Sequence, residues 1–155
     1  MKWPESKPRR RADVVSKRSP LSEEVIESKK CPVGIVELDE ILGGGFPARS
    51  LILLTGNAGS GKTILSTQFL YNGAAKYGEN GVYGSLAENR DDYCRNMRSL
   101  GMDMKSLERK GLFKFLDMVT MHGEDALKII TEKIVATTSE LKAKRLVIDP
   151  MSALL

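Results

Sequence analysis

The sequence predicts an α/β fold, a mainly parallel sheet covered by helices, and three observations carry that prediction. The run Leu51-Ile52-Leu53-Leu54 is apolar at every position, as expected of a strand buried on both faces. Gly56-Asn57-Ala58-Gly59-Ser60-Gly61-Lys62-Thr63 follows at once and fits G-x-x-x-x-G-K-[ST], the phosphate-binding loop, in full. Beyond it, short apolar runs alternate with helical periodicities, and the last run, Arg145-Leu146-Val147-Ile148-Asp149, ends in a carboxylate.

The residue types of the loop follow from phosphate chemistry. Backbone N–H groups must converge on phosphate oxygens, which requires tight turns at Gly56, Gly59 and Gly61. The helix that opens there adds its unpaired N–H groups and the positive end of its dipole. Lys62 can reach β- and γ-phosphates, and the Thr63 hydroxyl can hold Mg²⁺. Asp149, at the carboxyl end of a core strand, lies on the sheet edge where phosphates bind and is a second candidate for Mg²⁺. A turn aspartate before Pro150 is the plainer alternative.

Taken in order, residues 1–30 read as a basic, disordered extension, with a short helix over Pro20–Lys30 supported by a thin apolar stripe. Ile35, Leu38, Ile41 and Leu42 fit one face of a short helix that Gly43-Gly44-Gly45 ends. After the strand and loop, Ile64, Leu65, Phe69 and Leu70 recur at helical spacing up to Gly78. Gly81–Leu86 reads as the second strand and ends in Ala87-Glu88. Asn89 caps a helix bearing Asp91 and Asp92 in its first turn, with Tyr93, Met97 and Leu100 on one face and Gly101 as its stop. Asp103–Lys110 adds a helical turn, Leu112–Leu116 a third strand, and Glu124–Lys142 the longest helix, faced by Leu127, Ile130, Ile134 and Leu141.

Composition narrows the function classes. At 155 residues, 41% apolar and 28% charged, the chain has the make-up of one ordinary soluble domain. No aliphatic run approaches a membrane span. Cys31 and Cys94 form no C-x-x-C and read as reduced thiols of a cytoplasmic protein, and His122 reads as a loop residue. The net charge of +4 is local: residues 1–20 sum to +5 and the rest to −1. A nucleic acid or other acidic partner could use that tail; the body offers no such footprint.

Leu38-Asp39-Glu40-Ile41-Leu42-Gly43-Gly44-Gly45-Phe46-Pro47, the loop Gly56 to Thr63, Gln68-Phe69-Leu70-Tyr71, Gly81-Val82-Tyr83 and Arg145-Leu146-Val147-Ile148-Asp149 together resemble the KaiC-like ATPases of the RecA superfamily. The resemblance runs from residue 33 to 155 and implies a RecA-like, three-layer P-loop NTPase fold over 31–155. It also implies ATP and Mg²⁺ as ligands and a homo-oligomeric ring, usually a hexamer, with ATP between subunits. By position, Gly56, Asn57, Ala58, Gly59, Ser60, Gly61, Lys62 and Thr63 would bind the nucleotide, and Thr63 and Asp149 the metal. Lys62 and Glu88 would serve catalysis, Glu88 from the acidic end of the second strand, where water is positioned.

Three departures accompany the resemblance. Family members usually carry two adjacent glutamates where this chain has Ala87-Glu88, and alanine can neither orient nor deprotonate water, so ATP hydrolysis is in question where binding is not. Pro150 stands where the family usually has serine. The C-terminal strands of the family fold lie beyond Leu155, so residues 31–155 read as the amino-terminal part of a domain. The slot between Leu51–Leu54 and Arg145–Asp149 is then expected to lack its strand and to leave the isolated chain marginally folded. Two alternatives stay open: a non-catalytic ATP-binding assembly or regulatory module, and a small P-loop kinase. The kinase would need an arginine-bearing lid, and no Arg-rich loop occurs between Gly111 and Lys144.

Overall fold

The computed structural model describes residues 29–121 and 125–154. Its centre is a three-stranded parallel sheet of order β4-β3-β5, with β3 Gly81–Ser85 between β4 Phe113–Asp117 and β5 Arg145–Asp149. Gly81 lies level with Phe113 and Arg145, and Ser85 with Asp117 and Asp149, so the three strands end on one edge. Period-2 alternation along β3 then builds three layers. Tyr83 points to the side of α2 Lys62–Tyr77, α3 Arg90–Ser99 and α4 Met104–Arg109, where it meets Leu70, Tyr93, Met97, Met104, Leu107, Phe113 and Phe115. Val82 points the other way, into a smaller core with Leu116, Met118 and Ile130 of α5 Ala126–Glu140.

Local signals set the helix ends. The Asn89 side chain accepts from the N–H groups of Asp91 and Asp92 at 3.1 and 3.0 Å, which opens α3. Asp103 does the same for Ser106 at 3.0 Å. Helix α2 stops at Gly78, whose φ of 64° lets the Glu79 N–H reach back to the Gly73 carbonyl at 2.9 Å. Arg90 pairs with Glu108 and ties α3 to α4.

The glycine-rich segment after α1 Val36–Ile41 closes a small hairpin, β1 Lys30–Cys31 against β2 Phe46–Pro47. Asp39 holds it: its two carboxylate oxygens accept from the N–H groups of Val33 and Gly34 at 2.7 and 2.8 Å. Asn72 and Lys76 of α2 donate to the Val33 and Gly34 carbonyls, so the hairpin is docked on the helix that carries the phosphate loop.

The structure corrects several expectations. Leu51–Leu54 is not a strand buried on both faces. Its four side chains are exposed, Leu51 at 97% and Leu53 at 74%, and no backbone hydrogen bond among the described residues engages it. A strand exists by pairing, and the edge of β5 turned away from β3 carries no partner among the described residues. The Pro20–Lys30 helix fails at its end, since Lys30 belongs to β1; residues 20–28 lie outside the described residues, as do most of the basic extension and His122. On α5, Ile130, Ile134 and Leu141 face the core, whereas Leu127 is 62% exposed because the chain around it leaves the sheet's cover. Leu100 and Ile64 are likewise exposed, and Thr67 takes the buried place on the first turns of α2.

Candidate phosphate-binding site

The loop from Gly56 to Thr63 runs into α2, which begins at Lys62. Gly59 and Gly61 adopt left-handed φ values of 77° and 85°, a conformation that residues with a Cβ rarely take, so the motif's glycines meet a real backbone demand. The Lys62 ammonium lies over the loop and donates to the carbonyls of Gly56 and Asn57, each at 2.8 Å. These are contacts to neutral oxygens on an exposed loop, weaker than the bonds between opposite charges that phosphate oxygens would offer the same ammonium. The amides of Gly59, Ser60, Gly61 and Lys62 precede or open the helix, where the dipole favours an anion.

Thr63 and Asp149 are 86 positions apart in sequence, yet the Thr63 hydroxyl donates to Asp149 Oδ2 at 2.7 Å. The Tyr83 hydroxyl donates to the same oxygen at 2.9 Å. Desolvation, then the Asp149 charge, pushes the Tyr83 phenol far above its ordinary value, so it keeps its proton and acts as a donor. A second phenol sits behind Thr63. Thr67 donates its single hydroxyl proton to the Thr63 carbonyl at 2.8 Å, and so must accept from Tyr93, whose oxygen is 3.1 Å away. Burial holds Tyr93 protonated as well. Thr63 and Asp149 are hard oxygen donors drawn together at a helix start, a set that fits Mg²⁺, which is held in such sites by one or two protein oxygens plus phosphate.

Of the remaining predicted residues, Glu88 lies one turn beyond β3. Ser85 fixes that turn, its Oγ accepting from the Glu88 N–H at 2.9 Å. The Glu88 carboxylate accepts from the Asn96 side chain of α3 at 2.7 Å, and no hydrogen bond joins it to the phosphate loop among the described residues. Ala87, between them, is exposed. Pro150 follows Asp149 through a cis peptide bond.

The other end of β5 is fastened just as firmly. Arg145 is buried at 2% exposure, with Nε 2.7 Å from Glu79 Oε2 and Nη1 2.7 Å from the Phe69 carbonyl. Its guanidinium lies 4.4 Å from the Phe69 ring centre, a cation–π contact. Nη2 is also 2.7 Å from Glu79 Oε2 but misaligned for a hydrogen bond, so it is an ion contact alone. The side chain crosses α2 over Gly73, where an added Cβ would come within 2.5 Å of it. Arg145 and Asp149 thus rivet β5 to α2 at both ends, which fixes the spacing between Thr63 and Asp149. Sequence reading assigns no site role to Tyr83, Tyr93, Thr67, Asp39 or Arg145. For Tyr83 the signal was present: a polar-tipped ring inside an apolar strand needs a partner for its hydroxyl.

Comparison with known proteins gives a consistent result. The family model described as "ATPase: KaiC" matches residues 31–155. A UPF0273 protein of Pyrococcus horikoshii is 36% identical over 140 residues, which is 82% of this chain and 56% of that protein. The circadian clock oscillator protein KaiC of Rippkaea orientalis is 42% identical over 123 residues, 78% of this chain and 23% of that protein. The crystal structure of a KaiC-like protein from Pyrococcus horikoshii superposes with a TM-score of 0.73 at 37% identity, covering 79% of this chain and 55% of that one. The chain therefore spans little more than half the length of the UPF0273 relative.

Proposed function

The chain belongs to the KaiC family of ATPases, and from that premise we propose that it binds ATP with Mg²⁺ in the loop Gly56–Thr63. One observation supports this reading above the others: the 2.7 Å bond that joins Thr63 to Asp149 across 86 residues. In this reading the amides of Asn57, Ala58, Gly59, Ser60 and Gly61 line the phosphates, and the Lys62 ammonium leaves the Gly56 and Asn57 carbonyls for the β- and γ-phosphate oxygens. Thr63 and Asp149 hold the metal. When bound, Mg²⁺ supplies neutralisation of phosphate charge.

Hydrolysis is the weaker half of the activity. Ala87 offers no base, and Glu88 is engaged by Asn96, so water activation falls to a carboxylate turned toward α3. That same pair of facts favours the second reading, an ATP-binding assembly or regulatory module without turnover. We extend the proposal to a cytoplasmic protein that assembles as a homo-oligomeric ring through its family fold, with the basic residues of 1–20 meeting an acidic partner such as nucleic acid.

Calorimetric titration with ATP and Mg²⁺ tests the core of this. Lys62→Ala should weaken ATP by roughly 1.5–3 kcal/mol, about 10- to 150-fold. Equal affinity in wild type and variant would overturn it. Ala87→Glu should raise ATP turnover by roughly 10²–10⁴-fold if the missing glutamate limits the rate. Turnover that is fast in wild type and indifferent to Glu88→Ala would show that water is activated elsewhere.

A further inference from the structure

We propose that Tyr83 is a positioning residue for Asp149, pinning one carboxylate oxygen so that the other is left to a hydrated divalent cation; the inference rests on the Mg²⁺–ATP reading above. Oδ2 of Asp149 takes two donors, Thr63 at 2.7 Å and Tyr83 at 2.9 Å. Oδ1 accepts no hydrogen bond among the described residues. Two donors on one oxygen resist rotation of the carboxylate out of this orientation about its last torsion, because such a turn breaks both bonds.

The two donors are not equivalent. Thr63 is itself a proposed cation ligand and must serve the metal as well. The Tyr83 hydroxyl has no other hydrogen-bond partner among the described residues. Parallel register sets it beside Val147, two residues before Asp149. Its ring is 2% exposed, lies 4.5 Å from Tyr93 and 5.7 Å from Phe115, and has no room to swing away. Beside it, Tyr93 braces Thr67, which holds the Thr63 carbonyl. Each proposed ligand therefore has a phenol behind it, and only Tyr83 touches its ligand directly. Partners of this kind orient a ligating group and tune its hold on the metal.

Tyr83→Phe keeps the ring and removes the donor. ATP affinity is to be measured across a Mg²⁺ titration and again in EDTA, with thermal melting as a check on the fold. The Mg²⁺ concentration for half-maximal enhancement should rise about 10-fold, within the 10- to 100-fold range of such partners, while affinity in EDTA changes less than about twofold. Replacement of Tyr83 by p-aminophenylalanine, which restores a donor, should return the midpoint toward wild type. An unchanged midpoint in a folded Phe variant would overturn the role of Tyr83 and leave Mg²⁺–ATP binding intact. Equal loss with Mg²⁺ and in EDTA would overturn it too, showing a general packing effect. If the Phe variant does not fold, Tyr83 replaced by p-fluorophenylalanine, which fills the hydroxyl's place without a donor, decides: a raised midpoint supports the role and a wild-type one refutes it. Wild type without any Mg²⁺-dependent ATP binding would sink the parent reading, and this inference with it.

Discussion

Two stretches of four residues end at the same site and could hardly differ more. Val82–Ser85 is paired on both edges, to β4 and to β5, and covered on both faces. Leu51–Leu54 is the more hydrophobic of the two, yet it is exposed and makes no backbone pair among the described residues. Apolar content decides whether a segment is worth burying; hydrogen-bonded neighbours decide whether it is a strand. The contrast reaches into function. The Asp149 side of the site stands on a sheet, whereas the phosphate loop hangs from its helix, held by Thr63 to Asp149, by Phe69 to Arg145 and by Asn72 to the hairpin.

Hydrogen exchange gives this contrast its largest expected reading. Amides of Val82–Ser85 should exchange about 10³-fold more slowly than those of Leu51–Leu54, since one set opens with the domain and the other needs no opening. Comparable protection in both would mean that the run is paired in solution, and the comparison would break. Side-chain truncation sharpens it next. Phe113→Ala should cost about 3–5 kcal/mol in urea denaturation, and Leu53→Ala within about 0.5 kcal/mol, because Phe113 is 2% exposed and Leu53 74%.

The smallest effect expected is on pH. Burial raises the phenols of Tyr83 and Tyr93 above their ordinary value of 10.0. Unfolded phenols lose their protons near pH 10 while the folded ones keep theirs, so their contribution is fully present below pH 10 and falls above it. The slope should approach about 1.4 kcal/mol per pH unit for each phenol. Tyr93→Phe should make the alkaline limb shallower by up to about 1.4 kcal/mol per pH unit, as read from denaturation midpoints between pH 9 and 11, the rest of the limb coming from Tyr83 and from the thiols of Cys31 and Cys94, which burial also raises. The same limb should be indifferent to Leu53→Ala, which lies outside the paired half.

What the sequence made legible follows the same division. The order of elements from Gly81 to Asp149, the Asn89 cap and the glycine stops at Gly78 and Gly101 are local chemistry, and the structure has them. The strand reading of Leu51–Leu54 failed because periodicity reports burial potential and carries no information about which strand lies alongside. Leu127 failed for a related reason, since a helical face extends beyond the sheet that covers it. In the candidate site, the loop residues follow from the motif and Asp149 from its place at the end of an apolar strand, and the structure brings Thr63 and Asp149 together. For Tyr83 the strand pattern signals only that its hydroxyl needs a partner; which one depends on a parallel register that only the assembled sheet supplies.

The crossing of Arg145 over Gly73 constrains how such a chain can change over generations. With an added Cβ only 2.5 Å from the arginine side chain, replacing Gly73 first meets a steric barrier. Replacing Arg145 first surrenders the Glu79 and Phe69 contacts but opens the space above the glycine. The arginine-first order meets less steric resistance, so a lineage that has lost the arginine is freer to lose the glycine than one that keeps it.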